Sequence, residues 1–423
     1  MSTARGRIRM GLLARPKSLE ELGGPFRADP RRSPPGDAAL ADAVLDAGVR
    51  PGARRSGELE TVLLTGASGF LGAYLVHALV SRLGVRVRCV VRASGPVTAQ
   101  GRVEAALRRH RLWSESIMRN VEAIPGDLSA PRLGLTAAQH DRLAETTDAI
   151  VHNGARVNHA EPYGRLRTAN VGGTVAILRL ACRGGATPVH FVSTTSVAAH
   201  EHNPVRESVP SRPAVADGYV LSKWVGETLV SQAAARGLPA VIHRPDRICG
   251  GSTTGATGTD DAFWTIIRAI ATLGVVPPLG DAAVSLVPAD YVASAIAHTV
   301  GLPTPATGHA PVHHLVNHSG IPLHAVLDRL RANGFPIQIA SAEDFVADLS
   351  AAALTDMGMA RALILSQLAT PGESQWDDVV ARGALSDSGI ACPPMTLDLI
   401  DRHIDYLTEV GFLPTPTACG ITA

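Results

Sequence analysis

The run from Glu60 to Leu79 constrains this chain more than any other stretch. It begins Thr61-Val62-Leu63-Leu64-Thr65, a short apolar segment rich in strand formers. A glycine turn follows, Gly66-Ala67-Ser68-Gly69-Phe70-Leu71-Gly72, and then a helical apolar pattern through Leu79. Strand, glycine turn and helix in this order are the context a dinucleotide-binding turn requires. Gly66 allows the tight turn, Gly69 lets backbone approach a pyrophosphate, and Gly72 permits close packing of helix on strand. The helix N-terminus offers N–H groups and a favourable dipole to phosphates.

Further strands follow at strand–helix intervals. Val85–Arg92 is the second, and Arg92 stands at its end, about 20 residues past the glycines, where an acidic residue would hold a ribose 2′-OH. A guanidinium there suits a 2′-phosphate, which favours NADP(H) over NAD. Arg102, on the next helix, is a second candidate. The third strand ends at Val121–Pro125, before Gly126-Asp127-Leu128. The fourth, Asp148–His152, runs into Asn153-Gly154-Ala155-Arg156-Val157-Asn158-His159. Asn158 and Asn170 are placed to line the crevice or to satisfy their loops. A helix over 170–182 leads to the fifth strand, Val189–Val192, and the hydroxyl run Ser193-Thr194-Thr195-Ser196. The alternation predicts an α/β fold, a Rossmann-like doubly wound parallel sheet.

Gly218–Glu227 opens another helix, on which Tyr219 and Lys223 are i and i+4 and share one face. The chain has only five tyrosines and two lysines, Lys17 and Lys223, so a chance pair at this offset has a likelihood of about one in forty. A phenol beside an ammonium is a proton donor with its pKa drawn down.

The 423 residues exceed one ordinary core. We expect a flexible Arg/Pro-rich leader over 1–58, with a short helix at Asp37–Ala47, and a nucleotide-binding domain over 59–248. A smaller, mainly helical C-terminal substrate-binding region covers 249–423, and a segment near 281–300 returns to the sheet. Helices are expected there at 261–273, 322–333 and 395–410. A net charge of +1 and 4% aromatic residues argue against nucleic acid. The five cysteines match no zinc or disulfide spacing, which fits a reducing cytoplasm. No apolar run is long enough to span a membrane. His309, His313, His314 and His318 cluster locally, but they lack regular ligand spacing and nearby acids, so surface or loop histidines and no metal are expected.

With these pieces placed, the chain resembles the extended short-chain dehydrogenase/reductase superfamily. More narrowly it resembles the thioester reductase domains that end many nonribosomal peptide synthetases, polyketide synthases and carboxylic acid reductases. The superfamily likeness rests on Thr65–Gly72, Val91-Arg92-Ala93, Gly126–Leu128, His152–Asn158, Asn170–Thr174, Phe191–Val197 and Gly218–Glu227. The narrower likeness rests on His243–Ser252, Thr254-Gly255, Leu273-Gly274, Pro277, Val287–Ala293 and Tyr406–Pro414. It implies a catalytic triad of Thr194, Tyr219 and Lys223, Thr194 being three residues before Val197. It also implies a cofactor set of Thr65, Gly66, Ser68, Gly69, Phe70, Leu71, Gly72, Arg92, Arg102, Asp127, Leu128, Asn153, Gly154, Ala155, Asn158, Tyr219 and Lys223. Two departures stand out: Gly154 where alanine is usual, and Asp246 where glycine is usual, near the acyl channel.

The resemblance implies NADPH-dependent reduction of an acyl or peptidyl thioester on a phosphopantetheinylated carrier protein. Tyr219 would be the general acid, Lys223 would lower its pKa and hold the nicotinamide ribose, and Thr194 would bond the same oxygen. The product is an aldehyde, and a second hydride transfer would give an alcohol. Because the chain starts at Met1 and holds no carrier domain, a carrier acting in trans is expected, with the Arg-rich leader aiding docking. The alternatives are an acyl-CoA reductase, a sugar-nucleotide epimerase or dehydratase, a non-redox cyclase or condensing relative, and a nucleotide-sensing regulator on the same fold.

Overall fold

A computed structural model describes residues 35–416 apart from 54–56, 94–96, 199–202, 212–216, 281, 305 and 368–374. The described residues open with α1 (Pro35–Asp42), followed by β1 (Thr61–Thr65), α2 (Phe70–Leu83), β2 (Arg86–Val91), α3 (Ala99–Arg109) and β3 (Val121–Pro125). Next come α4 (Ala137–Glu145), β4 (Ala149–His152), α5 (Gly173–Arg183), β5 (Val189–Val192), α6 (Gly218–Ala235) and β6 (Ala240–Pro245). The remainder is α7 (Ala262–Leu273), α8 (Ala289–Gly301), β7 (Val312–Leu315), α9 (Leu323–Ala332), α10 (Ala342–Ala353), α11 (Met357–Gln367), α12 (Val379–Leu385) and α13 (Leu397–Glu409).

The seven strands form one parallel sheet in the order β7-β6-β5-β4-β1-β2-β3. The order reverses at β1, between β2 and β4, and that switch point is where an open α/β sheet binds its ligand. Both faces are apolar because both are covered. In β1, Val62 and Leu64 join the core under α2, α3 and α8, whereas Leu63 points to the core under α1, α5 and α6. A third core joins α7, α9, α10 and α13 around Trp264, Phe335 and Tyr406. Short strand pairs stitch this lobe together, among them Ile248–Cys249 with Val287–Pro288 and Val275–Val276 with Gln338–Ile339.

Three expectations need correction. The leader does not extend to residue 58 as free chain, because Ala39, Ala43, Leu45 and Val49 are buried against α6. Arg236 donates to the carbonyls of Leu45, Asp46 and Val49, and Asp42 binds Arg167 and the Tyr163 hydroxyl. The leader arginines, Arg5 to Arg55, lie outside the described residues except Arg50. Secondly, the return to the sheet reaches beyond 300. α8 packs on α2, and the chain then adds β7 beside β6. Thirdly, His313 and His314 are buried strand residues of β7 and not loop histidines; their flanks, Val312 and Leu315, supply the apolar faces of the strand.

The segment between β5 and α6 is tied to the far end of the chain. Val205 pairs with Trp376, and the Glu207 carboxylate accepts N–H groups from His314, Val380 and Ala381. Burial pushes the Glu207 pKa up to about 7 against these bonds. No helix of the described residues is long and apolar enough to cross a membrane.

Candidate active site

The glycine turn closes on itself. Gly66 has φ +75°, and a Cβ there would lie 2.8 Å from Gly154 Cα. At Gly72 the demand is sharper, since a Cβ would sit 2.0 Å from the Gly66 carbonyl oxygen. Thr98, Thr136, Asp217 and Asp261 cap their helices with side-chain oxygens, but Gly69 offers none to α2. The first-turn N–H groups of α2 therefore face outward from the crevice end of β1 without a side-chain acceptor, an anion site by construction. Ser68 and Phe70 are half-buried there, the Phe70 ring edge-on to Tyr74, and Leu71 is buried.

Thr65 couples this turn to β4. Its hydroxyl accepts the Gly154 N–H at 2.9 Å and meets His152 Nδ1 at 2.7 Å. His152 is buried and its pKa is pushed down to about 3, so the imidazole is neutral and its Nε2 reaches Thr174 at 3.2 Å. Thr174 donates to the Asn170 carbonyl. The Asn170 amide donates to Ser222 Oγ at 2.8 Å, and Ser222 donates to the Tyr219 carbonyl at 2.7 Å. This chain runs from the glycine turn to the helix that carries Tyr219. Asn170 is thus the brace of loop 153–158, since it also exchanges bonds with the Arg156 backbone.

The remaining candidates divide. Arg92 is exposed at the end of β2 and Arg102 is half-buried, and neither guanidinium bonds a described residue. Asn153 reaches the Gly66 carbonyl at 3.5 Å, and Ala155 is half-buried beside it. Leu128 explains the departure at Gly154, because a Cβ there would lie 2.6 Å from Leu128 Cδ1. Asp127 and Asn158 are engaged locally. Asp127 Oδ1 accepts the Ser129 N–H, while Asn158 donates to Glu161 and accepts from Ala160.

Thr194 is half-buried after β5 and caps the turn Thr195–Val197, accepting the Ser196 N–H at 3.3 Å. Thr195 is buried and donates instead to Asp246 at 3.1 Å. The turn packs on α6. On that helix Lys223 is buried, donates to the Val192 carbonyl at 2.5 Å and lies 4.3 Å from the Phe191 ring centre. Burial brings its pKa down to about 8, opposed by Glu227 one turn further on. Tyr219 differs from expectation. Burial, helped by the nearby Asp217 carboxylate, raises its pKa instead of the ammonium lowering it. Desolvation outweighs a cation that is already engaged by a carbonyl. The phenol hydroxyl bonds no described residue.

Several residues here were not singled out by sequence reasoning. Asp217 carried a signal, an acidic N-cap directly before a helix start. Glu227 and Arg244 form a fully buried bidentate pair at 2.6 and 2.8 Å, with Arg244 also 3.2 Å from His314 Nε2. Nothing local to either residue announces that pairing. Among the described residues no group of three or more His, Cys, Asp or Glu is placed to hold a metal.

A nicotinamide dinucleotide fits this geometry: the turn leaves no room for a Cβ at Gly66 or Gly72, no side chain caps the first turn of α2, and the Arg92 guanidinium bonds none of the described residues. The family described as male sterility protein, an NAD-binding type, matches residues 64–296. The isonitrile lipopeptide synthase of Streptomyces coeruleorubidus is 36% identical over 96% of this chain and 28% of its own length. A linear gramicidin synthase of Brevibacillus parabrevis is 35% identical over 89% of this chain and 8% of its own length. The chain thus spans less than a third of these curated relatives. Among solved structures, the terminal R domain from the myxalamid PKS-NRPS biosynthetic pathway superposes with TM-score 0.82 and 36% identity, over 90% of this chain and 100% of that one. The chain belongs to the male sterility family of NAD(P)-binding reductases, within the extended short-chain dehydrogenase/reductase superfamily.

Proposed function

We propose that the chain is an NADPH-dependent thioester reductase that releases an acyl or peptidyl group from a carrier protein as an aldehyde. The observation that supports this is that Tyr219 and Lys223 share α6, that Lys223 donates to the Val192 carbonyl at the end of β5 while the turn after Thr194 packs on the same helix, and that a hydrogen-bond chain runs from Thr65 to the Tyr219 carbonyl. Relatives that are peptide synthases support the carrier-bound substrate. Arg92, exposed at the end of β2, supports NADPH, its guanidinium matching a 2′-phosphate. Four free thiols, Cys89, Cys182, Cys249 and Cys392, support a reducing cytoplasm.

The first-turn N–H groups of α2 would hold the pyrophosphate and Arg92 the 2′-phosphate of a bound NADPH, which would supply hydride to the thioester carbonyl carbon. Tyr219, kept protonated by burial, donates its proton to the thioester oxygen as negative charge develops there. The Thr194 hydroxyl donates to the same oxygen. Lys223, with a pKa of about 8, exchanges protons near neutral pH and favours the tyrosinate left behind. The thiohemiacetal formed then breaks its C–S bond, its hydroxyl proton passing to the leaving sulfur, and frees the aldehyde and the carrier thiol.

The test is NADPH oxidation with an acyl-pantetheine thioester, wild type against Tyr219→Phe. A loss of about 10²–10⁴-fold in kcat is expected from removing the general acid. Full activity in the variant, or no oxidation by wild type across a broad thioester panel, refutes the reading.

A further inference from the structure

Tyr219 is held by a group outside the triad. The ring of His159 stands edge-to-face against the phenol ring, centroids 5.1 Å apart and planes at 75°. His159 Nδ1–H donates to Asp217 Oδ2 at 2.9 Å. The other oxygen of that carboxylate accepts the Val220 N–H at 3.0 Å and so caps α6. One carboxylate therefore fixes both the start of the catalytic helix and the imidazole that presses on its tyrosine.

The loop bearing His159 lies tight on this helix start. A Cβ at Gly218 would meet the Glu161 carbonyl oxygen at 2.4 Å. Arg156 and Asn158 both donate to the Glu161 carboxylate, which stiffens the loop. Among the described residues, the charged groups beside His159 are Asp217, which it bonds, and the Glu161–Arg156 pair of its own loop. Lys223 is drawn to the Val192 carbonyl, and among the described residues the phenol hydroxyl has no hydrogen-bond partner. The imidazole is 37% exposed, so it can be replaced without opening the core.

We propose that His159, held by Asp217, is the positioning residue that orients the Tyr219 phenol for proton donation, an inference that rests on the reductase reading above. Asp217 acts a second way, its charge favouring the protonated phenol.

The test compares wild type with His159→Ala, His159→Phe and Asp217→Ser in NADPH-dependent reduction of an acyl-pantetheine thioester. Serine still caps the helix but carries no charge and cannot reach the imidazole. We expect His159→Ala to lower kcat about tenfold while KM for NADPH stays within about twofold, the signature of lost orientation. His159→Phe restores part of kcat, because the ring contact survives. Asp217→Ser lowers kcat as His159→Ala does, and moves the alkaline limb of the pH–rate profile to lower pH. A kcat for His159→Ala within about twofold of wild type, or no recovery in His159→Phe, overturns the proposal.

Proton NMR of the imidazole gives a readout without turnover. The His159 ring C–H resonances should carry a ring-current shift that disappears in Tyr219→Ala, and an unshifted imidazole in wild type overturns the contact. A wild type that turns over no thioester refutes the reductase reading instead, and the NMR result still decides whether His159 packs on the phenol.

Discussion

Replacing Glu227 by glutamine removes one charge and almost no volume from the centre of the molecule. Both Glu227 and Arg244 are fully buried, and two hydrogen bonds join them at 2.6 and 2.8 Å. In Glu227→Gln the Arg244 guanidinium stays buried as a cation opposite a neutral amide that keeps one acceptor oxygen but turns an NH2 donor towards it, with His314 Nε2 at 3.2 Å. Removing one member of such a pair costs about 3–5 kcal/mol, because the uncompensated charge remains. At roughly 2.1 cal/mol/K of unfolding entropy per residue, the 423 residues have about 0.9 kcal/mol/K, so the thermal midpoint should fall by about 3–6 °C. Urea denaturation of Glu227→Gln, Arg244→Met and the double variant forms a double-mutant cycle. The double variant should lose less than the sum of the single variants by about 2 kcal/mol or more, since it removes both charges. A single-variant loss under about 1 kcal/mol, or strict additivity, refutes the reasoning. The charge also acts on catalysis. Glu227 raises the Lys223 pKa, so in the variant Lys223 falls further below about 8 and the limb of the pH–rate profile it controls moves to lower pH.

Arg92→Ser should lower kcat/KM for NADPH by about 10–100-fold and leave NADH within about twofold, because a charge-assisted contact to one phosphate is removed; equal losses for both cofactors would place Arg92 outside the 2′-phosphate site. Gly72→Ala forces its Cβ to 2.0 Å from the Gly66 carbonyl oxygen, so α2 must move off the turn. NADPH affinity, followed by fluorescence titration, should fall at least about tenfold. Stability should decline on acidification from pH 6.5 towards 4, as read by thermal midpoints. His152 and His190 (held down to about 3) and His313 and His403 (about 4) are buried neutral, so the unfolded chain takes up protons first. Glu207 works in the opposite sense: its raised pKa, about 7, adds stability below the ordinary value of 4.5 that is lost as pH rises towards 7, and Glu207→Gln should flatten that window.

Legibility followed locality. The expected strand over 85–92 is β2, Arg86–Val91, and the expected helices over 261–273 and 322–333 are α7 and α9. Each has its own apolar period and its own ends, such as Asp261 as N-cap and Gly274 in the left-handed region. The sequence does not announce β6 and β7 as strands. Val312-His313-His314-Leu315 sits in a Pro- and Gly-rich stretch with two imidazoles, and only pairing beside β6 makes it a buried strand. At the site, the family resemblance implies Thr194 over Thr195. In the fold, Asp246 engages Thr195, and Thr194 bonds Ser196 in the turn after β5. The phenol's acidity ran the other way from expectation, because neither burial nor the approach of Asp217 is written in the Tyr-x-x-x-Lys spacing.

By itself the sequence determined what depends on neighbours along the chain: the glycine turn, the arginine at the end of the second strand, and the phenol and ammonium one helical turn apart. Those features rest on sterics and periodicity within a few residues. The tertiary structure alone decided which groups meet across it. It joined His159 to Asp217 over 58 residues, Thr65 to His152 over 87, and residues 35–49 to α6. Such contacts arise when separate elements bury their apolar faces and any polar group carried inside must find a partner, and no local pattern states which partner that will be.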